Sequence, residues 1–213
     1  MRKLLHGGWI AALLLGVTLC VFDLRAPGLA LLSELGARRV GGADGGYVAG
    51  ALAWNVFGFL LPGVCAAVFA LALERPMRDA GARRDGRIGS TLLLLFGLLF
   101  AAQGVFPYDP SAPDDAASQL HVVLLSLGVF AFLPAAVLIP ASVRRDMRWR
   151  WLGLAGTVLL AAAVLCVVVP AATFGLGAPA LQRVLLACEF GWIALASAVA
   201  LRASATVKLR SPR

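Results

Sequence analysis

The residues best suited to chemistry are a histidine and the acidic residues that precede it. His121 follows a connection that contains Asp109, Asp114 and Asp115 but no basic residue. An imidazole close to carboxylates can be held in one orientation and can transfer protons near neutral pH. His121 and Asp109 are therefore the candidate catalytic pair, as general acid and base. The alternative is a histidine at a helix start whose ring is satisfied by water or backbone groups.

Other polar residues lie inside strongly apolar sequence, where each one is costly in lipid. Glu189 lies deepest and is the most costly. It is two helical turns from Gln182 and shares a face with it, whereas Arg183 points about 100° away. The candidate ligand-binding residues are Glu34, Asn55, Gln103, Gln182, Arg183 and Glu189. For each of them, the alternative role is a hydrogen bond that ties two helices together.

Several kinds of site are excluded by residue type and spacing. His6 and His121 belong to opposite ends of the predicted helices, so they cannot hold one haem or share a zinc site. The four cysteines lie in apolar segments without a CxxC pair, which is typical of small buried hydrophobic residues. A disulfide between Cys20 and Cys166 is the lesser alternative. No serine lies in a GxSxG pattern, and neither a metal nor a cofactor is predicted.

Six apolar segments must position these residues. The chain has 213 residues, of which 61% are hydrophobic and 14% charged, and its mean hydropathy of +0.88 lies outside the range of soluble globular proteins. A spanning helix needs about 20 mostly apolar residues. The predicted spans are Leu4–Phe22, Val48–Leu73, Ile88–Phe106, Gln119–Val143, Trp151–Ala171 and Pro179–Leu201. Because the connections are short, we expect one all-α membrane domain over residues 1–213. A cleaved signal peptide is the alternative for the first segment.

Helix contacts are expected at small residues, because glycine allows close approach where lipid removes the hydrophobic driving force. The glycines with this expected role are Gly16, Gly58, Gly63, Gly128, Gly153 and Gly156. Kinks are expected at Pro62 and Pro134, since proline frees a backbone group of the preceding turn.

The basic residues predict the orientation of the chain. All but four of the 19 lysine and arginine residues lie in the two tails and in the second and fourth connections; the exceptions are Arg25, Arg38, Arg39 and Arg183. Basic residues near membrane ends stay in the cytoplasm, so both termini are predicted to be cytoplasmic. The expected location is the cytoplasmic (inner) membrane of a bacterium. The net charge of +8 is explained by this topology, and no folded domain remains to bind nucleic acid.

Several of these residues also carry a resemblance to a known family. Ser33-Glu34-Leu35-Gly36-Ala37, Asn55 with Gly58 and Gly63, Gly104-x-Phe106-Pro107-x-Asp109, and His121 resemble the DUF998 family of six-helix membrane proteins. The resemblance runs from about residue 5 to residue 202. More remotely, the GxFP turn and the histidine that follows it are similar to the Frag1/DRAM/Sfk1 group. The resemblance implies a topology but no reaction, and it implies that Glu34, Asn55, Asp109 and His121 belong to one site.

The predicted function is a polar pocket, open to the extracytoplasmic side, that binds or processes a lipid or another amphiphile. A non-enzymatic protein that binds or transports a small ligand is one alternative, and a structural or partner-binding bundle is another. Whether the protein is an enzyme is left open, as is its oligomeric state. In the expected geometry Glu34, Asp109, His121 and Arg183 converge near the outer surface, with Arg183 beside one of the two acids, while Asn55 and Glu189 lie below them.

Overall fold

The computed structural model describes residues 2–25, 35–36, 50–82, 84–110, 112–172 and 178–210. These residues contain six long helices and no strand: α1 (Gly7–Arg25), α2 (Ala51–Asp79), α3 (Arg84–Gln103), α4 (Ala116–Val143), α5 (Arg150–Ala172) and α6 (Ala178–Arg210). A 3₁₀ turn, Arg2–His6, precedes α1. All six helices are long and apolar enough to cross a membrane. The prediction of an all-α protein with six spanning helices is therefore confirmed.

Helix α2 is irregular near its start. Between Ala51–Trp54 and Leu61–Asp79 it forms a π-helical segment, Asn55–Leu60, in which the N–H of Leu61 donates to the carbonyl of Val56 five residues back. Pro62 follows directly, and it has neither an N–H to donate nor room for a regular preceding turn. The irregularity that Pro62 predicts therefore takes the form of a π turn. By contrast, α4 continues through Pro134 and Pro140.

The six helices form a ring in which all neighbouring helices pack closely except one pair. Going around it, α4 packs on α3, α3 on α2, α2 on α1, α1 on α6, and α6 on α5, whereas α5 and α4 contact each other far less. Buried aromatic rings fill the centre: the ring of Phe100 lies 4.9 Å from that of Phe190, and Phe96 lies 5.2 Å from Phe132, between ring centroids. The seam between α4 and α5 is thus the place where the bundle is least packed.

The closest helix contact joins α2 to α3. A Cβ atom added to Gly63 would lie 2.6 Å from the carbonyl oxygen of Gly97, and one added to Gly97 would lie 2.6 Å from the nitrogen of Ala67. Gly63 with Ala67, and Gly97 with Ala101, form facing small-x₃-small patterns, which let two backbones touch in lipid. The contact expected at Gly63 is present, and its partner Gly97 was not foreseen. A Cβ atom on Gly16 or Gly153 would have no described atom within 4 Å apart from the backbone of its own helix, so the contacts expected there are not found.

The two ends of the bundle differ in character. One end carries the connections α2–α3 and α4–α5 together with Arg78, Arg84, Arg144 and Arg145; we call it the arginine-rich end. The other end carries the connection α3–α4 and His121, and we call it the histidine end. Every predicted catalytic residue among those described lies at the histidine end.

Candidate functional site

The connection between α3 and α4 holds the ring of His121. Helix α3 ends at Gln103, because the chain turns at Gly104: the N–H groups of Gly104 and Val105 donate to the carbonyls of Ala101 and Ala102, at 3.1 and 2.9 Å. The turn brings the carbonyl oxygen of Phe106 to 2.8 Å from Nδ1 of His121. A carbonyl only accepts hydrogen bonds, so Nδ1 carries the hydrogen. The backbone therefore orients this imidazole, as one of the alternatives for His121 proposes.

The start of α4 is fixed by two further hydrogen bonds. The carboxylate of Asp115 caps the helix by accepting from the N–H of Ala117 at 3.1 Å. The N–H of Asp109 donates to Oγ of Ser118 at 3.0 Å, and both residues are buried. The connection thus folds back onto the first turns of α4. It places Asp109 and His121 at the same end of the bundle, although the partner of Nδ1 is the Phe106 carbonyl rather than a carboxylate.

Aromatic side chains enclose His121. The ring of Phe59, from the π segment of α2, meets it edge-on at 5.6 Å and 89°, and the ring of Tyr108 lies 6.3 Å away. The carbonyl of Gln103 also faces the imidazole. His121 is only 2% exposed as a result. It is a buried, oriented residue at the mouth of the bundle and does not lie free in lipid or bulk water.

A cleft of about 460 Å³ opens beside His121, at the weak seam of the ring; we call it the lateral cleft. It lies between α4, α5 and α6. Its polar lining residues at the histidine end are Tyr108, His121 and Gln182. Further along, the lining is apolar except for Ser126 and Cys166, and it consists of Val122, Leu125, Val129, Phe130, Leu133, Val167, Leu185 and Leu186.

The lateral cleft opens sideways, through the wall of the bundle. Its rim includes Phe130, which is 74% exposed, and the exposed Val122. Both side chains project from a spanning helix, where the surroundings are lipid hydrocarbon. The hydroxyl of Ser126 donates to the carbonyl of Val122 in its own helix and so adds no free polar group to the rim. The cleft is therefore open to the membrane interior and polar at one end only.

The structure brings only some of the predicted site residues together. Gln182 shares the cleft with His121. Arg183 is the next residue in α6. Its guanidinium donates from Nη1 to the carbonyl of Pro179 at 2.9 Å, which is a hydrogen bond within the first turn of the same helix. Glu34 and Ser33 lie outside the described residues. Convergence of Glu34 with the other residues stays a prediction.

Asn55 belongs to a different contact. Its Nδ2 donates to the carbonyl of Gly36 at 3.1 Å, and a Cβ atom on Gly36 would collide with Oδ1 of Asn55. On its other side, a Cβ atom on Gly104 would lie 2.5 Å from the backbone oxygen of Asn55. Asn55 is thus held between two glycines, each of which must lack a side chain. Three separate pieces of the family resemblance, Gly36, Asn55 and Gly104, therefore meet at one contact, and the predicted ligand-binding role of Asn55 stays a prediction.

Gln103 and Glu189 are buried inside the helix packing and do not line the cleft. The amide nitrogen of Gln103 faces Gly128 of α4, 4.0 Å from where a Cβ atom of that glycine would be. Glu189 is 2% exposed. Among the described residues, Oε1 of Glu189, Oε1 of Gln103 and Oδ1 of Asn55 have no hydrogen-bond partner. These are buried polar groups of the bundle and stand apart from the cleft.

Sequence reasoning did not identify Tyr108 or the apolar lining of the cleft. Tyr108 carried a detectable signal, since an aromatic hydroxyl directly before Asp109 lies in the same turn as the predicted site. Nothing in the sequence marks Val129 or Leu133 as cleft residues, because a side chain that faces a cleft and one that faces lipid are equally apolar.

The described residues contain no group of three or more histidine, cysteine, aspartate or glutamate side chains that could hold a metal ion. All four cysteines are free, so the alternative disulfide between Cys20 and Cys166 is not formed.

Comparison with known proteins adds a family but no activity. The model of the family described as "Protein of unknown function (DUF998)" matches residues 10–199. No match to the chain was found among curated proteins or among solved structures. The remote similarity to the Frag1/DRAM/Sfk1 group is not shown by these comparisons.

Proposed function

Because the chain belongs to the DUF998 family, whose function is unknown, we propose a function from its geometry: this multi-pass membrane protein binds a lipid or another amphiphile in the lateral cleft. The observation that carries the proposal is the distribution of polarity in the cleft. Its polar side chains are at the histidine end and its remaining length is almost entirely apolar. An amphiphile has the same division between a polar group and an apolar chain.

The cleft has the dimensions of a site for a hydrocarbon chain. Along α4 its lining runs from Val122 to Leu133, and at about 1.5 Å per residue this stretch is about 16 Å long. Its volume of about 460 Å³ lies within the range of small-molecule sites. The side opening lets a chain enter from the bilayer without leaving the hydrocarbon region.

Affinity in such a cleft must come mainly from its polar end. A chain that moves from lipid into an apolar cleft gains little hydrophobic free energy, since both surroundings are equally apolar. Tyr108, His121 and Gln182 supply the hydrogen-bonding groups for the polar part of the ligand, and Arg183 adds positive charge nearby. The imidazole of His121 is held in place for this by the backbone carbonyls of Phe106 and Gln103.

Mass spectrometry of the purified protein tests the proposal. The protein is isolated in mild detergent, and the amphiphiles that remain bound are extracted and identified. Val129→Trp fills the cleft, and Val158→Trp makes the same change on a surface of α5 that is 69% exposed and outside the cleft. We expect one class of amphiphile to be retained by the wild type and by Val158→Trp and to be lost in Val129→Trp. Equal retention in both variants contradicts the proposal.

A structural bundle is the second candidate, and one observation favours it. Asn55 is held by Gly36 and Gly104, and Ser197 donates its hydroxyl to the carbonyl of Leu5 at 2.5 Å. These hydrogen bonds join separate segments of the chain, as a structural role requires. If structure is the only role, changes at Tyr108 and Gln182 lower stability without altering the material that copurifies.

We propose further that the arginine-rich end faces the cytoplasm and that the membrane is the inner membrane of a bacterium. The uneven distribution of lysine and arginine supports this orientation. In a cysteine-free background, a membrane-impermeant maleimide applied to intact cells should label Asp114→Cys and leave Arg145→Cys unlabelled. The reverse labelling pattern contradicts the orientation.

A further inference from the structure

A second cavity, of about 480 Å³, lies at the arginine-rich end between α2 and α3. Three arginines line it: Arg78 near the end of α2, and Arg84 and Arg87 in the first turn of α3. Glu74 is the acidic residue among its described lining residues, so positive charge is in excess. The cavity lies at the other end of the bundle from His121, and no step of the proposed function uses it.

The backbone around this cavity is fixed by the end of α2. The N–H of Gly81 donates to the carbonyl of Arg78 and that of Ala82 to the carbonyl of Met77, each at 2.9 Å, and Gly81 has a φ of 82°. This is the Schellman arrangement, which ends a helix at a left-handed glycine. Gly86 closes the floor, because a Cβ atom there would lie 2.8 Å from Cε of Met77. The cavity is a formed concavity with arginines from two helices around it.

The single carboxylate in the lining neutralises little of the charge. Nε of Arg87 lies 3.8 Å from Oε1 of Glu74, and these side chains are 73% and 41% exposed. An exposed pair at that distance contributes little. Guanidinium groups match phosphate oxygens in pairs of parallel hydrogen bonds, so three of them around one concavity favour a phosphate group.

The position of the cavity favours a phosphate that is attached to a lipid. Arg84 is the first residue of a spanning helix, which is the level of the phospholipid headgroups. Ile88 lines the cavity one turn further into the membrane and is 41% exposed. A headgroup bound between the arginines would therefore continue into an acyl chain along α3. We propose that this cavity binds the phosphate of an anionic glycerophospholipid.

Titration with phosphatidylglycerol, followed by native mass spectrometry in detergent, tests the proposal. The variant Arg78→Gln/Arg84→Gln removes two charges from the cavity. Arg144→Gln/Arg145→Gln removes two exposed charges from the same end, outside it. An arginine that hydrogen-bonds the bound phosphate contributes about fivefold to the affinity, whereas an exposed arginine outside the cavity is screened by solvent and salt and contributes little. We therefore expect about 25-fold weaker binding in the cavity variant and less than a twofold change in the control. Glu74→Gln should strengthen binding by less than about twofold, because its exposed carboxylate neutralises little of the charge.

Three results would overturn the proposal. Equal weakening in both double variants means that the lipid responds to general charge at this end. Equal binding of phosphatidylcholine, which has no net charge, means that the arginines do not select the ligand. Displacement of phosphatidylglycerol by inorganic phosphate at matched concentration identifies a soluble phosphate as the occupant. Unfolding curves of the variants should match that of the wild type, because the substituted arginines are exposed.

Discussion

The contact between α2 and α3 and the seam between α4 and α5 solve the same packing problem with different residues. At the first, Gly63 and Gly97 allow the two backbones to touch. At the second, α4 presents Val129 and Leu133, and a cleft remains beside them. Without a hydrophobic driving force in lipid, close packing depends on small residues. The difference teaches that side-chain size decides where this bundle is tightly packed and where it stays open.

The largest expected effect is a side chain placed in the tight contact. Gly97→Val would push a Cβ atom to 2.6 Å from the nitrogen of Ala67, and backbone atoms cannot move aside cheaply. We expect a loss of at least about 3 kcal/mol in unfolding free energy, since overpacking a core without room already costs about that much. Thermal unfolding in detergent measures it. Gly16→Val is the control, because a Cβ atom on Gly16 would have no described atom within 4 Å apart from the backbone of its own helix. Equal losses would mean that β-branching itself, and not the contact, destabilises the helices.

His121 and Gln182 separate packing from ligand binding within the cleft. His121→Phe keeps an aromatic ring of similar size but leaves the buried carbonyl of Phe106 without its donor. We expect a loss of about 1–3 kcal/mol in stability, the penalty for an unsatisfied buried group. Gln182→Leu should cost less stability than His121→Phe, because Gln182 is only partly buried, and it should still reduce the retained amphiphile. Melting curves and extracted lipid are measured on the same samples. A large stability loss in Gln182→Leu would make that residue part of the packing.

The third prediction concerns Ser197, which joins α6 to the first turn of the chain. Removal of its hydroxyl in Ser197→Ala leaves the carbonyl of Leu5 without this donor, and we expect a loss of about 1 kcal/mol. Ser126→Ala is the matched control, because its hydroxyl bonds within its own helix on an exposed face. Thermal unfolding should distinguish the two. If both melt like the wild type, the Ser197 hydrogen bond does not stabilise the closed side of the ring.

The smallest effect on stability is expected from a substitution in the connection between α4 and α5, at the arginine-rich end. Asp146 accepts from the guanidinium of Arg148, which also donates to the carbonyl of Ala203 in α6. The hydrogen bonds from Arg148 hold the pKa of Asp146 below its usual value. The folded protein therefore binds this proton less readily than the unfolded chain. The stabilisation is present above the ordinary aspartate pKa of about 4 and is lost as the pH falls through the lowered value.

The contribution of this pair should be below about 1 kcal/mol, because the ion pair is partly exposed to solvent. Asp146→Asn should lower the melting temperature slightly at neutral pH and approach the wild type at pH 3. Asp114→Asn, at the other end of the bundle, should have no such pH-dependent effect. A difference between Asp146→Asn and the wild type that grows toward acid would contradict the assignment.

Hydropathy predicts the six spans because the requirement is simple: about 20 apolar residues in a row. The ends are harder, since they depend on local turns. The predicted third span reaches Phe106, whereas α3 ends at Gln103 because Gly104 begins the turn that reaches His121. The predicted sixth span ends at Leu201, but α6 continues to Arg210, since a helix need not end where its apolar sequence does.

Within the candidate site, the sequence could reveal only residues that are costly in lipid. His121 and Gln182 were identifiable for that reason, and the structure brings them to one cleft. The same criterion selected Asn55 and Glu189, which are buried in the bundle instead. The free-energy cost of a polar side chain in the membrane shows that the residue has some role, but it does not distinguish a binding site from a helix contact. That distinction depends on which helix faces pack against each other, and this cannot be read from a uniformly apolar sequence.

The π segment of α2 has a consequence for how the chain tolerates insertions and deletions. A π turn contains one residue more than the α-helical turn it replaces, and one residue corresponds to about 100° of rotation. The first turn of α2, Ala51–Trp54, is therefore out of phase with the rest of the helix. Deleting one residue from Asn55–Leu60 would restore the phase and turn Trp54 and its neighbours to another side of the bundle. Most substitutions in this segment would keep the phase. This part of the chain must therefore keep its length as well as the contacts of Asn55 and Phe59.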